Sequence, residues 1–266
     1  MPKRADILMT EQSLAQSRER AKALIMEGVV YSGEKKVLKP SDTFPDDTVL
    51  SIREDPIPFV SRGGLKLDKA VRKYGIDLLG RVCVDVGAST GGFTDCMLKN
   101  GAKHVYAVDV GYGQLDWKLR NDPRVTCMER HNARNMEPNW FDPEPSFASC
   151  DVSFISIRLI LPGIFSCLPE SGTAVILVKP QFEAGKNKVG KSGVVRDPDT
   201  HFEVLKSAAE NAVQCGFSIV ALDYSPITGP KGNIEYLMYL KKCADQEPFD
   251  IPSAAKEVVC LSHEEL

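Results

Sequence analysis

The 266-residue sequence predicts an α/β fold: a doubly wound, mostly parallel sheet of seven strands, preceded by a small α+β segment. Three observations carry this. Strand-length apolar runs alternate with helix-period runs from Val82 to Leu240. A glycine-rich turn, Gly87-Ala88-Ser89-Thr90-Gly91-Gly92, follows one of the apolar runs and opens a helix. Finally, Pro56 and Pro58 sit in a charged stretch that separates this region from a first segment with its own pattern.

The first segment spans residues 1–54. Ser17 can cap a helix running to Glu27, with Glu19 in its first turn and Gly28 stopping it. Ala21, Leu24 and Ile25 supply the apolar stripe. Short strand-like pieces follow at Val29–Tyr31 and Val49–Ile52, the first ending in a turn at Ser32-Gly33-Glu34. An extended linker is expected over residues 55–61, and the large domain over 62–242.

In that domain a helix is expected over Gly64–Tyr74, then strands at Val82–Val86, His104–Val108, Val125–Met128, Phe147–Cys150, Thr173–Val178, Ser218–Leu222 and Glu235–Leu240. Helical runs lie between them at Gly92–Asn100, Leu115–Arg120, Ile155–Cys167 and His201–Gln214. The last two strands have no helix between them and can pair antiparallel, which places a reversed strand at the sheet edge. Residues 243–266 read as a polar, acidic tail without an assigned role.

Composition excludes several classes. No apolar run approaches the ~18 residues of a membrane span, and the polar N-terminus lacks the apolar stretch of a signal peptide. A cytoplasmic protein is expected. Eight cysteines are scattered without a C-x-x-C pair, and four histidines are widely spaced, so neither a disulfide framework nor a metal site is expected. The net charge of −3 divides unevenly: −1 over residues 1–60, +3 over 61–242 and −5 over 243–266. Local patches for RNA are therefore permitted, though not demonstrated.

The glycine turn links the strand ending at Asp85-Val86 to a helix beginning near Gly92-Phe93. Such a loop brings backbone N–H groups close to a ligand and aims a helix N-terminus at its anionic end. Its G-x-x-x-G-G spacing departs from the dinucleotide pattern G-x-G-x-x-G. Asp109, at the end of the next strand, can accept from both hydroxyls of a ribose. Dinucleotides and S-adenosylmethionine both carry that ribose, so the pair supports a nucleoside without choosing between them. The alternative for Asp109 is a solvated strand-end aspartate.

Four ionisable residues stand at positions where a parallel sheet collects its chemistry: Lys66, Asp151, Lys179 and Glu235. Lys179 is the most telling, because it ends an apolar strand and precedes Pro180. A lysine there costs desolvation unless it has carboxylate partners or a function. Singly, each reads equally as a surface charge or a structural ion pair.

The stretches Ser61–Leu67, Asp85–Asp95, Tyr106–Gln114, Glu129–Arg134, Asp151–Ser156, Val178–Val195 and Ile227–Glu235 resemble the TlyA family, often labelled hemolysin A. Its catalytic domain is similar to FtsJ-type ribose methyltransferases, and the likeness runs from about Lys3 to Lys242. The resemblance implies a Rossmann-like methyltransferase fold, S-adenosylmethionine as cofactor, and 2′-O-methylation of cytidine ribose in ribosomal RNA or ribosomal subunits. It places a Lys-Asp-Lys-Glu tetrad on Lys66, Asp151, Lys179 and Glu235. It also implies that residues 1–54 are an S-four-type RNA-binding fold.

A ribose hydroxyl is a poor nucleophile, and a lysine kept partly neutral by burial and a neighbouring lysine can take its proton. Expected cofactor contacts are Asp85, Gly87, Ala88, Ser89, Gly91, Gly92, Phe93, Asp109 and Asp151. Asn132 is a candidate for the adenine edge, with a turn asparagine as the alternative. Arg18, Arg20, Lys22, Lys35, Lys36 and Lys39, with Arg62, form the candidate RNA contacts; a solvated helix face is the competing reading. No Asp-Pro-Pro-aromatic sequence follows the fourth strand, which disfavours base-amine methylation, and Cys150 lacks a Pro-Cys setting for a covalent pyrimidine mechanism. A membrane-active hemolysin, an NAD enzyme and an inactive RNA-binding protein remain the rivals.

Overall fold

A computed structural model of the chain describes residues 2–52, 57–244 and 248–266. They divide into two compact units, residues 1–62 and 63–266.

The first unit opens with β1 (Lys3–Arg4), α1 (Ala5–Glu11) and α2 (Arg18–Glu27), followed by β2 (Val30–Ser32), β3 (Lys35–Lys36), β4 (Thr43–Phe44) and β5 (Leu50–Ile52). β2 pairs antiparallel with β3 and β5, and β1 with β4. The expected cap of α2 is present, with Ser17 Oγ accepting the Arg20 N–H at 3.2 Å. Gly28, at φ 78°, ends the helix in the left-handed region. α1 lies outside the expected elements. It buries Ala5, Leu8 and Met9 together with the carboxylate of Asp6, which breaks the apolar pattern in the sequence. Asp6 accepts from Arg4 at 2.9 and 3.2 Å and from Arg18 at 3.0 Å. Hydrogen bonds and charge from these guanidiniums outweigh burial and hold its pKa down at about 2. Of the expected linker, residues 55 and 56 lie outside the described residues.

The second unit runs through α3 (Gly64–Tyr74), β6 (Val82–Val86), α4 (Gly92–Lys99), β7 (His104–Asp109), α5 (Trp117–Arg120), β8 (Val125–Glu129) and β9 (Phe147–Cys150). It continues with α6 (Leu161–Cys167), β10 (Thr173–Val178), α7 (Pro180–Glu183), α8 (Pro198–Cys215), β11 (Phe217–Tyr224), β12 (Tyr236–Lys242) and α9 (Ile251–Glu265). Seven strands form one sheet in the order β11-β12-β10-β9-β6-β7-β8. Every residue of β9 and β10 is buried, as a parallel sheet covered on both faces requires.

Three expectations need correction. The reversed strand is not at the edge: β12 runs antiparallel between β10 and β11, and β11 is the outermost strand. Burial explains the exchange. β12 is buried through Tyr236, Leu237, Met238 and Leu240, whereas β11 exposes Val220 and carries a register shift there, a feature suited to an edge. The helix expected over Ile155–Cys167 is interrupted: a 3-10 turn covers Ile157–Leu159, and α6 starts so that Pro162 falls in its first turn.

The acidic tail is also not a tail. Asp250 caps α9 by accepting the Ser253 N–H at 3.1 Å, and Ala255, Val258, Val259 and Ser262 face inward at helical spacing. The Tyr236 hydroxyl lies 2.8 Å from His201 Nδ1 and 3.2 Å from Ser262 Oγ, while His263 Nε2 lies 3.0 Å from His201 Nδ1. Burial first, then the neighbouring His263, pushes the His201 pKa down to about 4, so the ring is neutral at physiological pH.

Candidate active site

Four chain segments deliver one side chain each to the C-terminal ends of the parallel strands, where open α/β sheets collect ligands. Lys66 sits in the first turn of α3 on the inward face that it shares with Leu67, Ala70 and Val71. Asp151 follows β9, its N–H donating to the Val86 carbonyl at 2.9 Å. Lys179 follows β10, and Pro180 at once turns the chain into α7. Glu235 immediately precedes β12, and its carbonyl accepts the Ser225 N–H at 2.8 Å.

These four form an alternating chain of charges. Lys66 Nζ donates to Glu235 Oε2 at 2.6 Å and to Asp151 Oδ2 at 3.4 Å, and Lys179 Nζ pairs with Asp151 Oδ1. The lysine side chains are each 9% exposed, Asp151 18% and Glu235 2%, so the pairs are shielded from water. Lys66 itself is held as an ammonium. Burial acts against its ammonium, but the charges of Asp151 and Glu235 outweigh this and raise its pKa, so it stays cationic.

Two polar residues that the sequence analysis missed complete the cluster. Lys179 Nζ donates to Ser153 Oγ at 2.9 Å, and Gln181 Nε2 donates to Glu235 Oε1 at 3.2 Å. Each stands two residues beyond a candidate, and the sequence signal for Gln181 is the one-turn helix that Pro180 starts.

The glycine loop adjoins this cluster. Gly87 has φ 84°, and a Cβ there would lie 2.9 Å from the Asp151 carbonyl oxygen, so only glycine lets the loop and the catalytic strand end meet so closely. Asp85 is wholly buried beneath the loop. Thr94 Oγ1 donates to it at 2.7 Å and Ser149 Oγ at 3.1 Å. It therefore supports the loop from below rather than lining it, and the same holds for the side chain of Phe93, 3% exposed. Burial, opposed by the Thr94 and Ser149 bonds and reinforced by Asp151, lifts the Asp85 pKa to about 7. Ala88 is buried, Ser89 takes a left-handed φ of 50°, and Gly91 and Gly92 begin α4.

Asp109 accepts the Ser89 N–H at 2.8 Å and the Gly111 N–H at 2.6 Å, cross-linking the loops that follow β6 and β7. Asn132 Oδ1 accepts the Arg134 N–H at 3.1 Å, the turn role considered for it, and the residue is exposed. In the first unit Arg18 is bound to Asp6, and Arg20 donates to the Val60 carbonyl at 3.2 Å. Lys22 and Arg62 are half-buried, whereas Lys35, Lys36 and Lys39 are exposed. Among the described residues no group of three or more His, Cys, Asp or Glu side chains is placed to hold a metal ion.

This sheet order is that of S-adenosylmethionine-dependent methyltransferases, and residues 59–242 match the family of FtsJ-like methyltransferases. The Bacillus subtilis protein YqxC, which carries the label of an rRNA methyltransferase, is 50% identical over 238 residues, 89% of this chain and 85% of its own. The 16S/23S rRNA (cytidine-2′-O)-methyltransferase TlyA of Mycobacterium tuberculosis is 42% identical over 244 residues, 91% of each chain. A solved structure from Streptococcus thermophilus, labelled a hemolysin, has 47% identity and a TM-score of 0.80, covering 99% of this chain and 96% of that one. The chain belongs to the TlyA family.

Proposed function

We propose that the chain transfers a methyl group from S-adenosylmethionine to the 2′-hydroxyl of cytidine in ribosomal RNA. The observation that carries this reading is the shielded Glu235–Lys66–Asp151–Lys179 chain beside a glycine loop. Methyl transfer follows from the family, and the substrate follows from what the Mycobacterium tuberculosis relative is named for. The residues present fit the cofactor: the Gly87–Gly92 backbone and the start of α4 would hold its anionic end, Asp109 its ribose and Asn132 its adenine edge. When bound, the cofactor supplies an electrophilic methyl group on sulfur.

The chain's own task is alignment and proton removal. Lys66, kept cationic, holds Asp151 and Glu235 in place. Lys179 receives the hydroxyl proton, or most directly lowers the cost of losing it, as the oxygen–carbon bond forms and the carbon–sulfur bond breaks. The first unit grips RNA through Lys35, Lys36 and Lys39, in keeping with an S-four-type fold, and the cytoplasm supplies the substrate. Among the described residues no helix is long and apolar enough to cross a membrane.

The test is to incubate the purified protein with ribosomal RNA and methyl-labelled S-adenosylmethionine and to map the label. We expect it on a cytidine 2′-oxygen. Label on a base, or none on RNA or on ribosomal subunits, overturns the reading.

A further inference from the structure

We infer that Gln181 and Gly229 are positioning residues that together seat the outer carboxylate oxygen of Glu235, an assignment that rests on the methyltransferase reading. Glu235 uses Oε2 for Lys66 at 2.6 Å, and its Oε1 faces the Gln181 amide at 3.2 Å. The orientation of that amide is fixed by chemistry. Turned over, it would set its carbonyl oxygen against a carboxylate oxygen, two acceptors with no proton between them. In the orientation found, Gln181 Oε1 is buried with no hydrogen-bond donor among the described residues. An orphaned buried acceptor costs stability, so the side chain's own bonding does not account for its place. What the placement does achieve is a donor on Glu235 Oε1.

Gly229 closes the other side. A Cβ on it would lie 2.8 Å from Glu235 Oε1, and its φ is outside the left-handed region, so alanine suits the backbone. The turn is tied down by the Gly229 N–H donating to the Asn233 carbonyl and the Gly232 N–H to the Gly229 carbonyl, both at 2.8 Å. One wall donates a proton and the other leaves room, and between them the carboxylate has a single resting place. The charged group bonded to it is Lys66 from α3, and Asp151 beyond β9 and Lys179 beyond β10 continue the chain of ion pairs.

The two walls can be disturbed separately. Q181L removes the donor, and G229A pushes the carboxylate while leaving the donor intact. Each should lower the single-turnover methylation rate by on the order of 100-fold, the scale of a displacement near 1 Å. Affinities for S-adenosylmethionine and RNA should stay near wild type. In an E235Q background neither change should cost much more, because both act through Glu235. Crystal structures of the two variants should show the Glu235 carboxylate turned away from Lys66. Equal losses with and without Glu235, or an unmoved Lys66–Glu235 contact in both variants, overturn the proposal while leaving the function intact. A wild-type protein that never methylates RNA sinks the functional reading instead, and the crystal structures still decide the seating.

Discussion

Helix α3 carries lysines into two carboxylate clusters, and the clusters are built in opposite ways. At its start, Lys66 enters the active-site chain, where both lysines are almost fully enclosed. One turn on, Lys69 and Lys73 converge on Asp223 of β11 at 3.1 and 2.9 Å, joined by the Tyr74 hydroxyl at 3.1 Å and the Tyr224 N–H at 2.9 Å. Here the anion is enclosed, at 1% exposure, while Lys73 is 53% exposed and Lys69 21%. Lys69 also donates to the Tyr224 carbonyl at 2.7 Å and lies 3.6 Å above the Tyr224 ring. Burial alone would raise the Asp223 pKa, but its donors outweigh burial and lower it. An anchor surrounds one anion with enough donors to replace water. The candidate site instead alternates enclosed lysines and carboxylates, each ion paired with the next.

The contrast predicts that the two clusters fail differently. K179A should slow single-turnover methylation by ~100- to 10,000-fold with little change in melting temperature or cofactor affinity. A variant that melts early but turns over normally would make Lys179 another anchor. D223A should do the reverse, costing on the order of 1–3 kcal/mol in denaturant unfolding because it removes the acceptor shared by Lys69, Lys73, the Tyr74 hydroxyl and the Tyr224 N–H. Single-turnover rates measured where the variant is still folded should change far less than in K179A. A variant as stable as the wild type would show that the lysines find water cheaply.

A pH-dependent effect is expected from Asp85, a buried carboxylate whose hydrogen-bond partners are the hydroxyls of Thr94 and Ser149. Its pKa rises from the ordinary 3.8 to about 7 on folding, so the folded chain keeps a proton that the unfolded chain loses. Its contribution to stability is therefore fully present below pH 3.8 and is lost as the pH climbs through about 7. D85N should flatten that part of the stability–pH curve. An identical slope in D85N and wild type would mean that Thr94 and Ser149 keep Asp85 ionised.

Much of this was legible in the sequence where burial and pattern agree. Phe147–Cys150 and Thr173–Val178 were readable to the residue because both are free of charged residues, mostly apolar and buried on both faces. The glycine turn was readable because positive φ restricts residue choice so strongly. α1 was hidden because Asp6 lies among its buried residues, and the arginines that make this tolerable include one twelve residues away. α9 was hidden behind its net charge, although Ala255, Val258 and Val259 already carry helical spacing. The site was legible as four charged residues. The neutral side chains that aim them were not, because an amide or hydroxyl near a strand end has no signature until its partner is in place. The position of β12 was beyond pattern altogether, since an apolar strand at the end of a domain looks the same whether it closes an edge or slips inside.

That insertion has a consequence for how the chain comes to life on the ribosome. Among the described residues β11 pairs with β12 alone, and β10 has β12 as its partner on that side, so residues 217–242 join the sheet as one antiparallel pair. Until they do, the largely apolar β10 presents a bare edge, the kind of surface on which growing chains aggregate. Glu235 stands at the head of the arriving strand, so the step that hides the sticky edge is also the step that delivers the last charged member of the site. Closing the sheet and completing the charged cluster are thus a single structural event.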